Sequence, residues 1–186
     1  MHKSKNASVW TEQGYVLFAE KGLEGIQVER LARTLGLNKS GFYHYFGDME
    51  VYWDELLRHH NGIAEIYFDK IRHVKKIDPD WFEILVEFKV ATMVQMQLLR
   101  SKNPTFCKVA ETVNHKEDAI LRELISEYLG YRENPDLAMR YYDMLRYMFY
   151  TRASLDNLTC EFLRNLVNEA KAVVHQLAED SSAPSA

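Results

Sequence analysis

Cysteine, proline and glycine are all scarce in this sequence, which holds two, four and eight of them among 186 residues. So few helix breakers favour helix over sheet, and no run of alternating β-branched and polar residues indicates a strand. Cys107 and Cys160 lie far apart without a CxxC spacing, which favours reduced thiols over a disulfide or a zinc site. The sequence therefore predicts an all-α fold.

Long hydrophobic runs are missing as well. No apolar stretch approaches the roughly 20 residues that span a bilayer. The N-terminus also lacks the apolar run of a secretory signal, so a cytoplasmic protein is predicted. The hydrophobic content of 47% and the net charge of -4 fit a globular chain with a sizeable core.

Three helices are predicted near the N-terminus, namely a first helix that ends near Lys21 and two short helices separated by one turn. Residues 28–35 carry apolar side chains at the i, i+3, i+4, i+7 spacing of one helix face, and a glycine ends that helix. Asn38 is a good N-cap for the second short helix over residues 39–46, which Phe42 and Phe46 would pack onto the first short helix. This is the layout of a helix-turn-helix, whose second helix enters the major groove of DNA.

The order and spacing of these residues resemble one known family. Three segments resemble the N-terminal signature of the TetR (tetracycline-repressor) family: Leu17-Phe18-Ala19-Glu20-Lys21-Gly22, Val28-Glu29-Arg30-Leu31-Ala32, and Leu35-Gly36-Leu37-Asn38-Lys39-Ser40-Gly41-Phe42-Tyr43-His44-Tyr45-Phe46. The resemblance covers about the first 57 residues, and the remainder matches in helical architecture only. It implies a dimeric regulator that binds a palindromic operator, usually as a repressor, and responds to a small-molecule effector.

The resemblance also implies a set of DNA contacts on the two short helices. The expected contacts are Lys39, Ser40 and Gly41 at the start of the recognition helix, Tyr43, His44 and Tyr45 on its outer face, and Gln27 and Arg33 on the preceding helix. Without the resemblance, the aromatic residues among them would equally fit an ordinary amphipathic surface.

Three positions depart from the family pattern. Met49 stands where a lysine usually binds a phosphate, and Ile26-Gln27 replaces a capping threonine, so Gln27 or a water would have to cap the helix. Glu29 stands where an arginine reads a base in some relatives; it could accept a hydrogen bond from a cytosine amino group or simply repel phosphate. Residues 1–46 carry a net charge of only +2, so weak non-specific binding and reliance on two half-sites are expected.

The remaining chain is predicted to form further helices. Residues 1–47 would be the DNA-binding domain, residues 48–180 an effector-binding and dimerisation domain, and residues 181–186 a disordered tail. A fourth helix, capped by Asp48, is predicted from Met49 toward His73 or Lys75. Beyond it, the predicted segments are one helix from Trp81 to about Arg100, two helices between Pro104 and Gly130, one beginning at Asn134-Pro135-Asp136, and one from about Thr159 to Leu177.

The last two helices carry more apolar surface than one core face needs. Packing them against a second copy as a four-helix bundle would bury the surplus, as the resemblance implies, although they could instead close only the subunit's own core. The predicted dimer contacts are Leu137, Tyr141, Leu145, Phe149, Phe162, Leu166, Ala170, Val173, Val174 and Leu177.

The middle helices hold soft and aromatic side chains that suit an effector cavity, although any helical core uses the same residue types. The candidate ligand contacts are Trp81, Phe88, Met93, Met96, Phe106, Cys107, Met144, Tyr147 and Met148. No convergent charged set identifies the class of ligand.

Neither catalysis nor a cofactor is predicted. The sequence has no GxSxG motif and no glycine-rich phosphate loop, and no histidine pair has the i, i+4 spacing and carboxylate partner of a zinc site. A histidine-based metalloenzyme is therefore the least favoured class. The main alternative to an operator-binding regulator is a helical small-molecule-binding or scaffold protein of the same fold with weak or no operator binding.

Overall fold

The computed structural model describes the backbone of residues 2–182 and the side chains of residues 7–174 and 176. This part of the chain is helix and loop without strand, so the predicted all-α fold is confirmed. Its α-helices are α1 (His2–Lys21), α2 (Val28–Leu35), α3 (Lys39–Phe46), α4 (Met49–Ile71), α5 (Phe82–Glu87), α6 (Lys89–Arg100), α7 (Pro104–Leu129), α8 (Pro135–Arg152) and α9 (Cys160–Ser182). Short helical turns, Leu23–Gly25 and Ile77–Trp81, precede α2 and α5. None of the described helices has the length and apolarity needed to cross a membrane.

The chain forms two compact units. The first contains Met1–His73 and Phe88–Ile120, and therefore holds α1 to α4, α6 and most of α7. The second contains Val74–Glu87 and Leu121–Ala186, and therefore holds α5, the end of α7, α8 and α9. The functional boundary at residue 47 is a different division and stays a prediction.

Local signals for helix ends are confirmed in the first unit. α1 ends at Lys21, as predicted. The Asn38 side chain accepts a hydrogen bond from the backbone N–H of Ser40 at 3.1 Å, and the Asp48 side chain accepts one from the backbone N–H of Val51 at 3.0 Å. Both predicted N-caps are therefore present, and they set the first residues of α3 and α4.

Two helix assignments in the middle of the chain are wrong. The single helix predicted from Trp81 to Arg100 is interrupted at Phe88 (φ -92°, ψ 21°), which separates α5 from α6. The Phe88 ring packs 5.5 Å from the ring of Tyr67 on α4, a tertiary contact that periodicity does not signal. Conversely, α7 is one helix where two were predicted, because residues 113–120 contain neither glycine nor proline.

The C-terminal boundary also differs from the prediction. α9 continues to Ser182, so Ser181 and Ser182 of the predicted tail are helical. Residues 183–186, the rest of that tail, lie outside the described residues.

Close packing of α1 against α4 depends on a glycine. The buried Tyr52 hydroxyl of α4 donates a hydrogen bond to the Trp10 carbonyl oxygen of α1 at 3.0 Å. It passes α1 at Gly14, where a Cβ atom would overlap the hydroxyl. The Tyr52 ring also lies 5.0 Å from the rings of Phe42 and Phe46. One side chain therefore connects α1, α3 and α4.

We expect Gly14→Ala to lower the free energy of unfolding by roughly 1–3 kcal/mol, because α1 and α4 must separate to admit the methyl group. Urea denaturation measures the change. The matched control is Gly62→Ala in α4, where a Cβ atom meets nothing within 4 Å and a gain of roughly 0.4–1 kcal/mol is expected. Equal effects of the two substitutions would contradict the contact.

Candidate nucleic-acid interface

The back of α3 is held by an aromatic cluster. Phe42 is fully buried, and its ring lies edge-on to the ring of Trp10 with centroids 5.6 Å apart. Phe46 is buried as well, 5.0 Å from Phe42. α3 packs against α1, α2 and α4. One side of this short helix is therefore fixed in the core, and the opposite side is left to solvent.

The solvent side of α3, with the adjoining part of α2, is called here the outer face. The sequence-predicted DNA contacts with exposed side chains are Gln27, Arg33, Lys39, Ser40, Tyr43 and His44. Tyr43 is 52% exposed, although so large an aromatic side chain is usually more buried. Tyr45 is half-buried. Most of the predicted contacts are therefore accessible to solvent.

Gly41 is placed differently from the expectation. A side chain at this position would lie 3.7 Å from the Trp10 ring, so its Cα side is turned towards α1. Its backbone N–H donates to the Asn38 carbonyl oxygen at 2.9 Å, while Asn38 Oδ1 accepts from the Ser40 N–H. Asn38 therefore satisfies two donors that an uncapped helix start would offer to a phosphate. Recognition by α3 depends on its side chains.

Gln27 does not cap α2 with its side chain. Its backbone is extended (φ -131°, ψ 133°), and its carbonyl oxygen accepts the N–H of Leu31 at 3.0 Å. The amide side chain makes no capping hydrogen bond and is exposed at the positive end of the α2 dipole. This position is compatible with the expected phosphate contact.

An ion pair joins α2 to α3 on the outer face. Lys39 Nζ donates to Glu29 Oε1 at 2.9 Å, with the two side chains 52% and 66% exposed. The hydrogen bond and the opposite charge lower the pKa of Glu29 and raise the pKa of Lys39, so both stay charged at neutral pH. An exposed pair of this kind adds little to stability, so its importance lies in what it presents to a ligand.

A profile of the bacterial regulatory proteins of the tetR family matches residues 11–51. The N-terminal part of the chain is therefore similar to the DNA-binding domain of the TetR family. The matched segment runs from α1 into α4 and includes both helices of the helix-turn-helix. This segment therefore has the DNA-binding fold of TetR-family transcriptional regulators.

Two solved structures share the fold of this chain over most of its length. A transcriptional regulator (TerR/AcrR family) from Aquifex aeolicus VF5 has a TM-score of 0.59 and 16% identity, with 92% of this chain and 99% of that one covered. A protein assigned to the TetR-family transcriptional regulators from Mesorhizobium loti MAFF303099 has a TM-score of 0.53 and 16% identity, with 93% and 98% covered. At such identity the likeness shows the fold alone. No curated protein sequence matches significantly.

The predicted dimer contacts fall into three groups within the second unit. Already buried within the chain are Tyr141, Leu145, Phe149, Leu166 and Ala170. Half-buried are Phe162 and Val174, and exposed are Leu137 and Val173. The side chain of Leu177 lies outside the described residues. The five buried residues are already covered within the subunit. Helical periodicity could not reveal this, because it marks a buried face without identifying what buries it.

The predicted ligand contacts are divided between the two units. The first unit holds Phe88, Met93, Met96, Phe106 and Cys107, and the second holds Trp81, Met144, Tyr147 and Met148. Met144 and Tyr147 are 43% and 72% exposed. These two side chains lie on the surface of α8 and do not line an interior cavity of their unit.

A chain of buried hydrogen bonds lies in the first unit. Tyr15 Oη lies 2.8 Å from His60 Nδ1, and His60 Nε2 lies 3.0 Å from Gln95 Oε1. Gln95 Nε2 donates to the Ala110 carbonyl oxygen at 2.6 Å and to Asn114 Oδ1 at 2.7 Å. These contacts, called here the polar chain, connect α1, α4, α6 and α7. No local sequence signal predicts them, since the residues lie on four different helices.

A neutral His60 satisfies the polar chain with one order of donors and acceptors. The Tyr15 O–H donates to Nδ1, and the His60 Nε2–H donates to the Gln95 carbonyl oxygen. Burial raises the pKa of Tyr15 and lowers the pKa of His60 to about 4. Both groups therefore stay uncharged at neutral pH.

We expect the stability of the protein to fall as the pH falls from about 6.5 to about 4, by up to about 3 kcal/mol, because the unfolded chain protonates His60 in this range and the folded chain resists it. Burial also lowers the pKa of His59, which adds a smaller effect of the same sign. Urea denaturation at several pH values measures the slope.

His60→Gln should flatten that slope, since an amide does not titrate. The control is His44→Gln on the exposed outer face, which should keep the wild-type slope. A slope unchanged by His60→Gln would show that protonation of this ring does not govern acid stability.

Proposed function

We propose that this protein is a cytoplasmic, non-enzymatic transcriptional repressor that binds a palindromic operator as a homodimer and releases it when a small effector binds. The observation that carries the DNA-binding part is the outer face. Its polar and aromatic side chains are exposed on a helix whose back is fixed by Phe42 and Phe46.

Two copies of the outer face are needed for useful affinity and specificity. α3 has eight residues, so at 1.5 Å per residue it is about 12 Å long and can contact only a few base pairs of one major groove. The small positive charge of residues 1–46 adds little general attraction to phosphates. A two-fold symmetric pair of recognition helices would read two half-sites about one helical turn, or a multiple of one turn, apart.

We expect selection from a random duplex pool to enrich a palindrome that the wild-type protein binds with strong salt dependence. Tyr43→Ala and Lys39→Ala should each weaken binding of the enriched duplex by roughly 5- to 150-fold, the range for a lost base contact. Arg132→Ala, which removes an exposed charge of the second unit, is the matched control and should bind like wild type. Gel shifts at two or more salt concentrations measure all four proteins.

Absent or sequence-blind binding would contradict this function. It would favour instead the helical small-molecule-binding or scaffold protein, to which Met49 and the modest basic excess already point. The exposed outer face would then not recognise a specific DNA sequence.

Exposed apolar side chains on α8 and α9 support the homodimer. Leu137, Met144 and Tyr147 follow one another at intervals of seven and three residues, which places them on one face of α8. Together with Val173 of α9 they are 39% to 72% exposed, although all four are large and apolar. α8 packs on α9 within the subunit, so a second copy of the same pair would form a four-helix bundle and cover these side chains.

We expect Tyr147→Glu combined with Val173→Glu to convert the protein to monomers and to abolish binding of the palindrome, because a carboxylate would be buried in the interface. Sedimentation analysis measures the oligomeric state. The matched control is Ile66→Glu on α4 of the first unit, which is 57% exposed and should leave the dimer intact. A dimer that survives the double substitution would place the interface elsewhere.

An effector acts on such a regulator only if it binds the DNA-competent and DNA-incompetent arrangements with different affinities. The polar chain gives a physical basis for this in the first unit. It ties α1 and α4, which hold α3, to α6 and α7, where Met93, Met96 and Phe106 supply apolar surface. A ligand among α6 and α7 would reach the helix-turn-helix through these hydrogen bonds.

A further inference from the structure

We infer that Glu29 and Lys39 act as one base-reading pair that selects a G·C base pair in the major groove, with the cytosine on the Glu29 side. The inference rests on the proposed operator binding and names the chemistry that one part of the outer face recognises. The ion pair between α2 and α3 carries it.

The pair presents a hydrogen-bond donor and an acceptor side by side. Lys39 Nζ and Glu29 Oε1 are 2.9 Å apart, close to the spacing of neighbouring groups on a base-pair edge. The ammonium carries three N–H donors and directs one at Glu29, so it keeps donors for a base. Lys39 meets one of the two carboxylate oxygens, so the carboxylate keeps acceptor capacity. More than half of each side chain is exposed, and both groups are reachable.

A G·C pair is the best complement to this arrangement. Its major-groove edge places the cytosine N4 amino donor beside the guanine acceptors O6 and N7, which match a carboxylate and an ammonium. An A·T pair also offers a donor beside an acceptor, but the lysine would meet only thymine O4, next to the C5 methyl group. The reversed C·G pair would place guanine lone pairs against the carboxylate. The pair therefore selects both the base pair and its orientation.

The ion pair also explains how a glutamate can be tolerated on a DNA-binding surface. An isolated carboxylate there would repel phosphates, but the Lys39 ammonium at 2.9 Å compensates its charge. The same compensation removes Lys39 as a general phosphate anchor. The pairing of the two residues reduces their non-specific attraction to DNA phosphates and increases their discrimination against incorrect base pairs.

The first test compares the duplexes that wild type, Glu29→Ala and Glu29→Gln enrich from the same random pool. Wild type should enrich a G·C pair of fixed orientation at one symmetric position of each half-site. Glu29→Ala should lose that preference while keeping the rest of the palindrome, whereas Glu29→Gln, whose amide has both an acceptor and a donor, should shift it towards A·T. Glu20→Gln, which alters an exposed carboxylate on α1, is the matched control and should keep the wild-type preference.

The second test removes the single group that Glu29 would contact. The wild-type duplex is remade with 2-pyrimidinone, which lacks the 4-amino group, in place of the selected cytosine. Wild type should bind this duplex about 5- to 150-fold more weakly than the parent, whereas Glu29→Ala should bind both within about 2-fold. Because the duplex change is identical for both proteins, any general weakening of the duplex cancels in the comparison.

The outcomes separate this inference from the proposed function. If wild type enriches a palindrome and the Glu29 variants enrich the same one with tighter binding overall, Glu29 only neutralises Lys39 and the inference is overturned while operator binding stands. If wild type enriches no duplex, the proposed function fails and the inference with it. Equal loss on 2-pyrimidinone for wild type and Glu29→Ala also overturns the inference.

Discussion

The burial of three aromatic rings behind the recognition helix is the constraint on which the site depends. A helix of eight residues is unstable in isolation, because the cost of nucleation exceeds what one or two turns return. Phe42 and Phe46 stabilise the short helix by packing on the Tyr52 ring, and the Tyr52 hydroxyl in turn is hydrogen-bonded to α1. The inner face of α3 is thereby fixed, and its outer face is left to meet a ligand without a role in the core.

α4 links this cluster to the interior of the first unit. Tyr52 near its start holds the helix-turn-helix, and His60, two turns further on, belongs to the polar chain. Eight residues correspond to about 12 Å along a helix axis, and a helix transmits a shift of that length with little bending. Every buried side chain of the polar chain has a hydrogen-bond partner, so breaking one of these hydrogen bonds would leave a desolvated polar group. The arrangement therefore favours a small number of distinct states over gradual deformation.

Sequence reasoning succeeded where the determining interactions are local and was wrong where they are not. Asn38 and Asp48 cap helices through their own neighbours, so both helix starts could be predicted. The break at Phe88 depends on packing against α4, and no neighbouring residue signals it. Periodicity found the buried faces of α8 and α9, but it could not tell a face buried by the subunit itself from one buried by a partner, as Tyr141 and Leu166 show.

The site was predicted residue by residue but not as an arrangement. Glu29 and Lys39 were both conspicuous in the sequence, yet only the crossing of α2 over α3 brings them to 2.9 Å. That contact lowers the positive charge available to DNA phosphates, because Glu29 neutralises one of the six basic residues among residues 1–46. Affinity for generic DNA grows with the number of phosphates neutralised, so a surface with few unpaired cations discriminates against it. Such a surface has to obtain its affinity from base edges and from a second half-site. Reading a second half-site requires a dimer, and the exposed apolar side chains of α8 and α9 offer a surface on which a dimer could form.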